Sequence, residues 1–262
     1  MTREPQLLSL RVVVPSLGAE QSTVECRPIV DGRDILAEVF GEGPAEDPRY
    51  LLSPRTPLHA TETPHEVRLA EAGCTEGCCG AVYVTVSREG QHVIWSDWRN
   101  PDDEELSLPE FWFDFDQYEA EIDRAAADHT WEWPARTVAR LLEERLRTRT
   151  DWLSTWECEL GAVSAWPWAP DRITVFLFHP GRSAISADHP WLQFRMTIPI
   201  SGDHANVQVE AIEERLTAED PREVAEVCGG SKEFADQLGY PWPGPRPHAQ
   251  TTSGTGDTAR RE

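Results

Sequence analysis

Residues 81–98 read AVYVTVSREGQHVIWSDW, and no other run constrains the fold of this chain as tightly. Val82, Val84 and Val86 alternate with Tyr83 and Thr85, and Arg88, Glu89 and Gly90 supply a reversal before a second apolar run. A period of two places alternate side chains on opposite faces of a sheet, so the segment predicts an antiparallel hairpin with one buried face. Any fold for this sequence must cover that face.

Similar patterns recur along the chain. Residues 7–14 (LLSLRVVV), 22–30 (STVECRPIV) and 65–72 (HEVRLAEA) read as strands. In 110–116 (EFWFDFD), Phe111, Phe113 and Phe115 point one way and Trp112 and Asp114 the other; Asp116 is expected to cap a helix through residue 128. Val138, Leu141, Leu142 and Leu146 keep helical spacing. Two further hairpins are predicted, 157–166 with 172–179 and 191–200 with 205–212, then a short helix over 220–228 ended by Gly229 and Gly230. The fold class expected is α+β, mainly antiparallel sheet with a few packing helices. A tryptophan-marked seam at Trp131 and Trp133 suggests two modest domains, 1–130 and 131–242, followed by a low-hydrophobicity tail at 243–262 expected to be disordered.

Charge narrows the partner class. The formal net charge is −22, which opposes the electrostatic footprint of nucleic-acid binding and disfavours an anionic membrane surface. No stretch reaches the roughly 18 apolar residues of a membrane helix. The N-terminus lacks a cleavage signature, so the expected compartment is the cytoplasm, where cysteines stay reduced. Lys232 is the only lysine among 24 basic residues, a bias of the kind a high-GC bacterial genome produces.

Half of the six cysteines sit in one turn, CTEGCCG: Cys74, Cys78 and Cys79. The spacing fits half of a zinc site, and closure would need Cys26 or His65 from elsewhere in the chain. The competing reading is a tight corner in which the cysteines are small buried residues. Zn2+ is the one cofactor that the sequence suggests; the alternative is none.

The stretch from Asp97 to Asp128 holds twelve acidic residues against two arginines, with Asp102, Asp103, Glu104 and Glu105 in one run. Such a run is usually a solvated face, and it also suits docking of a basic protein. Eleven tryptophans are present, among them Trp166 and Trp168 flanking a proline in a loop. Most are expected in the core, while exposed ones beside acids would form an interface hot spot. The leading expectation is therefore a non-enzymatic, antitoxin-, immunity- or adaptor-like module that binds a basic partner through Asp102, Asp103, Glu104, Glu105, Trp166 and Trp168. A zinc protein built on the cysteine turn is the alternative. His179 and His189, near Ser183, Ser186 and Asp188, give a minor hydrolase reading, but no G-x-S-x-G elbow accompanies them. Nucleotide, dinucleotide and zincin motifs are absent from the sequence.

Overall fold

The computed structural model describes residues 4–243 apart from 21, 42, 54–56, 75, 104, 105 and 107, together with the side chains of 77 and 78. The expected tail lies outside the described residues from 244 onward. Among the described residues the fold is α+β, with three antiparallel sheets and packing helices. Among the described residues no helix is long and apolar enough to cross a membrane. The chain divides into two compact units, one comprising residues 1–142, 164–173 and 198–209, the other 143–163, 174–197 and the segment from 210.

The first unit opens with β1 (Leu8–Val13), β2 (Glu25–Val30) and the two-residue β3 (Arg33–Asp34), paired in that order. Two short helices follow, α1 (Ile35–Val39) and α2 (Pro48–Leu51), each capped by an aspartate that accepts a backbone N–H: Asp34 from Ala37 and Asp47 from Arg49. The second sheet runs β4 (His65–Glu71), β5 (Ala81–Glu89), β6 (His92–Arg99) and β7 (Phe111–Asp114), with α3 (Glu76–Cys79) inside the β4-to-β5 turn. Val82, Val84 and Val86 are fully buried while Tyr83 and Thr85 are half-buried, as their alternation predicts.

Asp114 caps α4 (Phe115–Ala127), accepting from Gln117 N at 3.0 Å. The predicted cap at Asp116 is thus displaced by two residues. Once Phe113 has filled the core, Phe115 turns into the first helical position, and Asp116 falls in the first turn, where the helix dipole favours an acid.

The outer edge of β1 is sealed by α4. Gln117 donates to Leu8 O at 2.9 Å and accepts from Leu8 N; Glu121 accepts from Leu10 N at 2.6 Å; Arg124 donates to Leu10 O at 3.0 Å. Four helical residues rise about 6 Å and two strand residues about 6.6 Å, so side chains spaced i, i+4, i+7 can stand in for a neighbouring strand. An exposed strand edge is a template for aggregation, and this contact removes it.

Chain order continues with α5 (Pro134–Thr148), on which Val138, Leu142 and Leu146 are fully buried, and α6 (Thr150–Thr155). The sheet of the second unit has the order β11-β10-β9-β8: β8 (Glu159–Ser164), β9 (Arg172–His179), β10 (Leu192–Pro199) and β11 (Glu226–Gly230). Helices α7 (Arg182–Ser186), α8 (Ala205–Thr217), α9 (Pro221–Val224) and α10 (Lys232–Leu238) complete the elements of the described residues.

Two sequence expectations are corrected here. Residues 205–212 form the start of α8 and no hairpin strand: Val209, Ile212 and Leu216 bury one helical stripe, while Val207 is left 60% exposed. A strand would have put Val207 and Val209 on the same face. The predicted helix over 220–228 is only four residues long before the chain extends into β11, whose Val227 lies opposite Phe194.

Candidate functional site

One end of the β4/β5 ladder carries the cysteine turn, Asp102, Asp103 and the Trp166/Trp168 pair. Beside β4 runs the segment 44–47, held by an Ala45/Ala70 bridge and by Glu46 N donating to Leu69 O at 2.9 Å. On its other side Cys26 N donates to Glu46 O at 2.8 Å, so the segment fills the gap from β2 to β4. The segment 44–47 is therefore ordered packing.

Next to this segment lies a cleft of about 580 Å³, and all of its lining residues belong to the first unit. Its charged walls are Glu46, Asp47 and Glu71 on one side of the balance and Arg49 and Arg136 on the other. Arg136 is only 5% exposed; it donates to Asp47 Oδ1 at 2.8 Å and lies over the Trp131 ring. Arg68 joins Glu46 and Glu71 in one ion-paired row. These partners offset the cost of holding charge near the protein interior, which an isolated ion could not do.

Trp166 and Pro167 form a further part of the lining. Trp166 and Trp168 stack with centroids 5.3 Å apart and planes 16° from parallel, in a turn closed by Ala169 N donating to Trp166 O. Gly18 N donates to Pro167 O at 2.7 Å, which ties the loop that carries exposed Leu17 to this turn. Trp168 is 49% exposed. Of the six residues expected to meet a partner, these two form a built surface.

The cysteine turn begins where the cleft wall ends, since Gly73 lines the cleft and Cys74 is the next residue. Cys74 is exposed, and Cys79 packs partly buried against the core of the unit. The Cys78 side chain lies outside the described set. Ala72 N donates to Gly80 O, and Gly80 and Ala81 rest on Asn100, whose Oδ1 accepts from Ala81 N at 3.2 Å and from Asp102 N at 3.1 Å. Through Asn100 the exposed Asp102 and Asp103 join the same end of the sheet. Glu104 and Glu105 lie outside the described residues.

Cys26 and His65 sit elsewhere. Cys26 is fully buried on β2 opposite Val12, and burial, with Asp47 and Glu121 nearby, pushes its thiol up to about 12. A zinc ligand must be a thiolate, which this environment opposes. His65 begins β4, six residues or about 20 Å of strand from the turn, and its Nε2 lies 2.6 Å from Pro57 O. Among the described residues no three His, Cys, Asp or Glu side chains are grouped to hold a metal ion.

In the second unit, His179 is buried, with Nδ1 2.9 Å from Glu157 O and its ring stacked on Phe234 at 6.0 Å. His189, Ser183, Ser186 and Asp188 are all exposed, and Ser186 donates to Arg182 O. None of these three serine and aspartate side chains is hydrogen-bonded to either imidazole among the described residues.

Sequence reasoning passed over Glu46, Asp47, Arg49, Glu71 and Arg136, the charged lining of the cleft. The available signal was Asp47-Pro48, a helix start inside a stretch that otherwise reads as loop. Set against known proteins, the chain matches no family model, no curated protein and no solved structure.

Proposed function

We propose that this chain is a cytoplasmic, non-catalytic binding protein that docks a basic partner protein at the cysteine-turn end of the first unit. The observation that carries the reading is the stacked Trp166/Trp168 pair, half-exposed beside a cleft on a chain of net charge −22. A net negative field steers a cationic partner and raises its encounter rate. Rigid, exposed indole rings then supply apolar contact area at low entropic cost, as interface anchors do. Long-range charge gives speed, and tryptophan gives retention. An antitoxin-, immunity- or adaptor-like role follows from that combination.

The test is retention on a resin carrying a folded basic protein of pI above about 9, at about 0.15 M salt. Reversing Asp102, Asp103, Glu104 and Glu105 to lysine adds two charges at each of four positions and takes the net charge from −22 to −14. Retention is expected to fall for that variant and for Trp168→Ala. Retention unchanged in both variants overturns the proposal. Metal analysis of the purified chain runs beside it: stoichiometric zinc would favour the cysteine-turn reading, and the proposal expects less than about a tenth of an equivalent.

A further inference from the structure

The chain repeatedly lays its own arginines on its own rings. In the first unit the guanidinium carbon of Arg88 lies 3.5 Å from the Phe115 centroid, that of Arg99 4.1 Å from Tyr83, and that of Arg136 5.3 Å from Trp131. In the second unit Arg182 and Arg222 do the same over Phe178 and Trp156, at 5.0 and 5.9 Å. Trp168 departs from this habit. It is more exposed than any other described Trp, Tyr or Phe, yet among the described residues no arginine lies over it. One face of its ring rests on Trp166, which holds its plane, and 49% of the residue is open to solvent.

We infer that the segment docking here is arginine-bearing, with a guanidinium laid flat on the Trp168 ring. The inference rests on the binding role proposed above and specifies the chemistry of the partner. A guanidinium is planar and weakly hydrated, and it stacks on indole; a lysine ammonium is a compact point charge that keeps its water. Because Trp166 already fixes the plane of Trp168, little ordering is required on binding. The neighbouring cleft favours the same choice. Glu46, Asp47 and Glu71 are paired with Arg68 or Arg136, but an ionised carboxylate has about four acceptor sites. A second, forked donor can therefore share them, which suits arginine again.

The experiment titrates the full chain with two synthetic peptides of equal length and charge, one built on arginine and one on lysine, at about 0.15 M salt. Calorimetry and tryptophan fluorescence both report binding. The arginine peptide is expected to bind about fivefold tighter or more. In Trp168→Ala its affinity should fall to that of the lysine peptide, whose own affinity stays unchanged; Trp168→Phe, which keeps a ring, should recover part of the preference. Circular dichroism confirms that each variant is folded. Equal affinity for the two peptides overturns this inference and leaves the basic-partner reading standing. So does an arginine preference that survives in Trp168→Ala. Failure of both peptides to bind overturns the two together.

Discussion

The two ends of the β4/β5 ladder are built from similar residue types put to opposite uses. At the end where His65 and Glu89 lie, every polar group named is spent on packing. Tyr118 donates to Leu58 O at 2.6 Å and accepts from Trp95 Nε1 at 3.0 Å. Glu119 holds His59 Nδ1 at 2.7 Å with one oxygen and Ala60 N with the other, and Arg88 N donates to Thr61 O. Leu58 is fully buried beneath them. At the other end Cys74, Asp102, Asp103 and Trp168 face solvent, and a cleft opens beside them. A histidine, an acid or an aromatic ring thus says little about function until it is known which end it occupies. His65, a candidate to close the metal site of the cysteine turn, belongs to the closed end.

The sharpest way to break this contrast is Tyr118→Phe. The hydroxyl is fully buried, and burial raises its pKa, so it remains a donor throughout the ordinary pH range. Removing it leaves Leu58 O and Trp95 Nε1 unsatisfied, which should cost roughly 2–6 kcal/mol at about 1–3 per group. Chemical denaturation should show that loss, while retention of a basic protein below the unfolding transition stays at the wild-type level. A stability unchanged by the substitution would mean that the closed end is not a clamp. A retention defect in the folded variant would mean that the two ends are coupled.

A smaller effect, at the open end, comes from Gly80→Ala. Gly80 has φ +83°, and a Cβ there would stand 2.1 Å from Asn100 Oδ1. That oxygen already accepts from Ala81 N and Asp102 N, so Asn100 cannot turn aside without losing both. The left-handed conformation costs a residue with a Cβ about 1–2 kcal/mol, and each of the two lost hydrogen bonds about 1 more. The expected loss is about 3–4 kcal/mol, together with weaker retention of a basic protein because the Asp102 loop shifts. Loss of stability with full retention would detach that loop from the docking surface.

The same contrast explains how much could be read in advance. Strand β5 was legible because one buried face on a regular ladder leaves a strict period of two, and Val82, Val84 and Val86 show it. The start of α8 misled because Val207 and Val209 fit that period locally, whereas burial of Ile212 and Leu216 decides the helix. The cap moved from Asp116 to Asp114 for a similar reason: both are good capping residues, and the core's demand for Phe113 chooses between them. At the site, Trp166 and Trp168 were legible as a pair. The cleft beside them was not, since it joins residues 46, 71 and 136 through contacts that no local pattern encodes.

The smallest expected effect is on the outward face that runs from one end to the other. Arg99 on β6 reaches across β5 to Glu66 on β4, with both guanidinium contacts at 2.8–3.0 Å and its plane over Tyr83. The hydrogen bonds from Arg99 hold the Glu66 carboxyl below its ordinary range. Both side chains are 45% exposed, so solvent and salt screen the pair and Glu66→Gln should cost less than about 1 kcal/mol. A carboxyl with a depressed folded pKa contributes its full stability above its ordinary value, about 4.3, and loses it as pH falls through the lower folded value. The gap in thermal midpoint separating wild type from Glu66→Gln should therefore be small at neutral pH and low salt, shrink as salt is added, and close below that folded value. A gap that widens in acid would reverse the sign of the linkage. A cost well above about 1 kcal/mol would show that this face stiffens the ladder, and the closed and open ends would then have to be treated as one mechanical element.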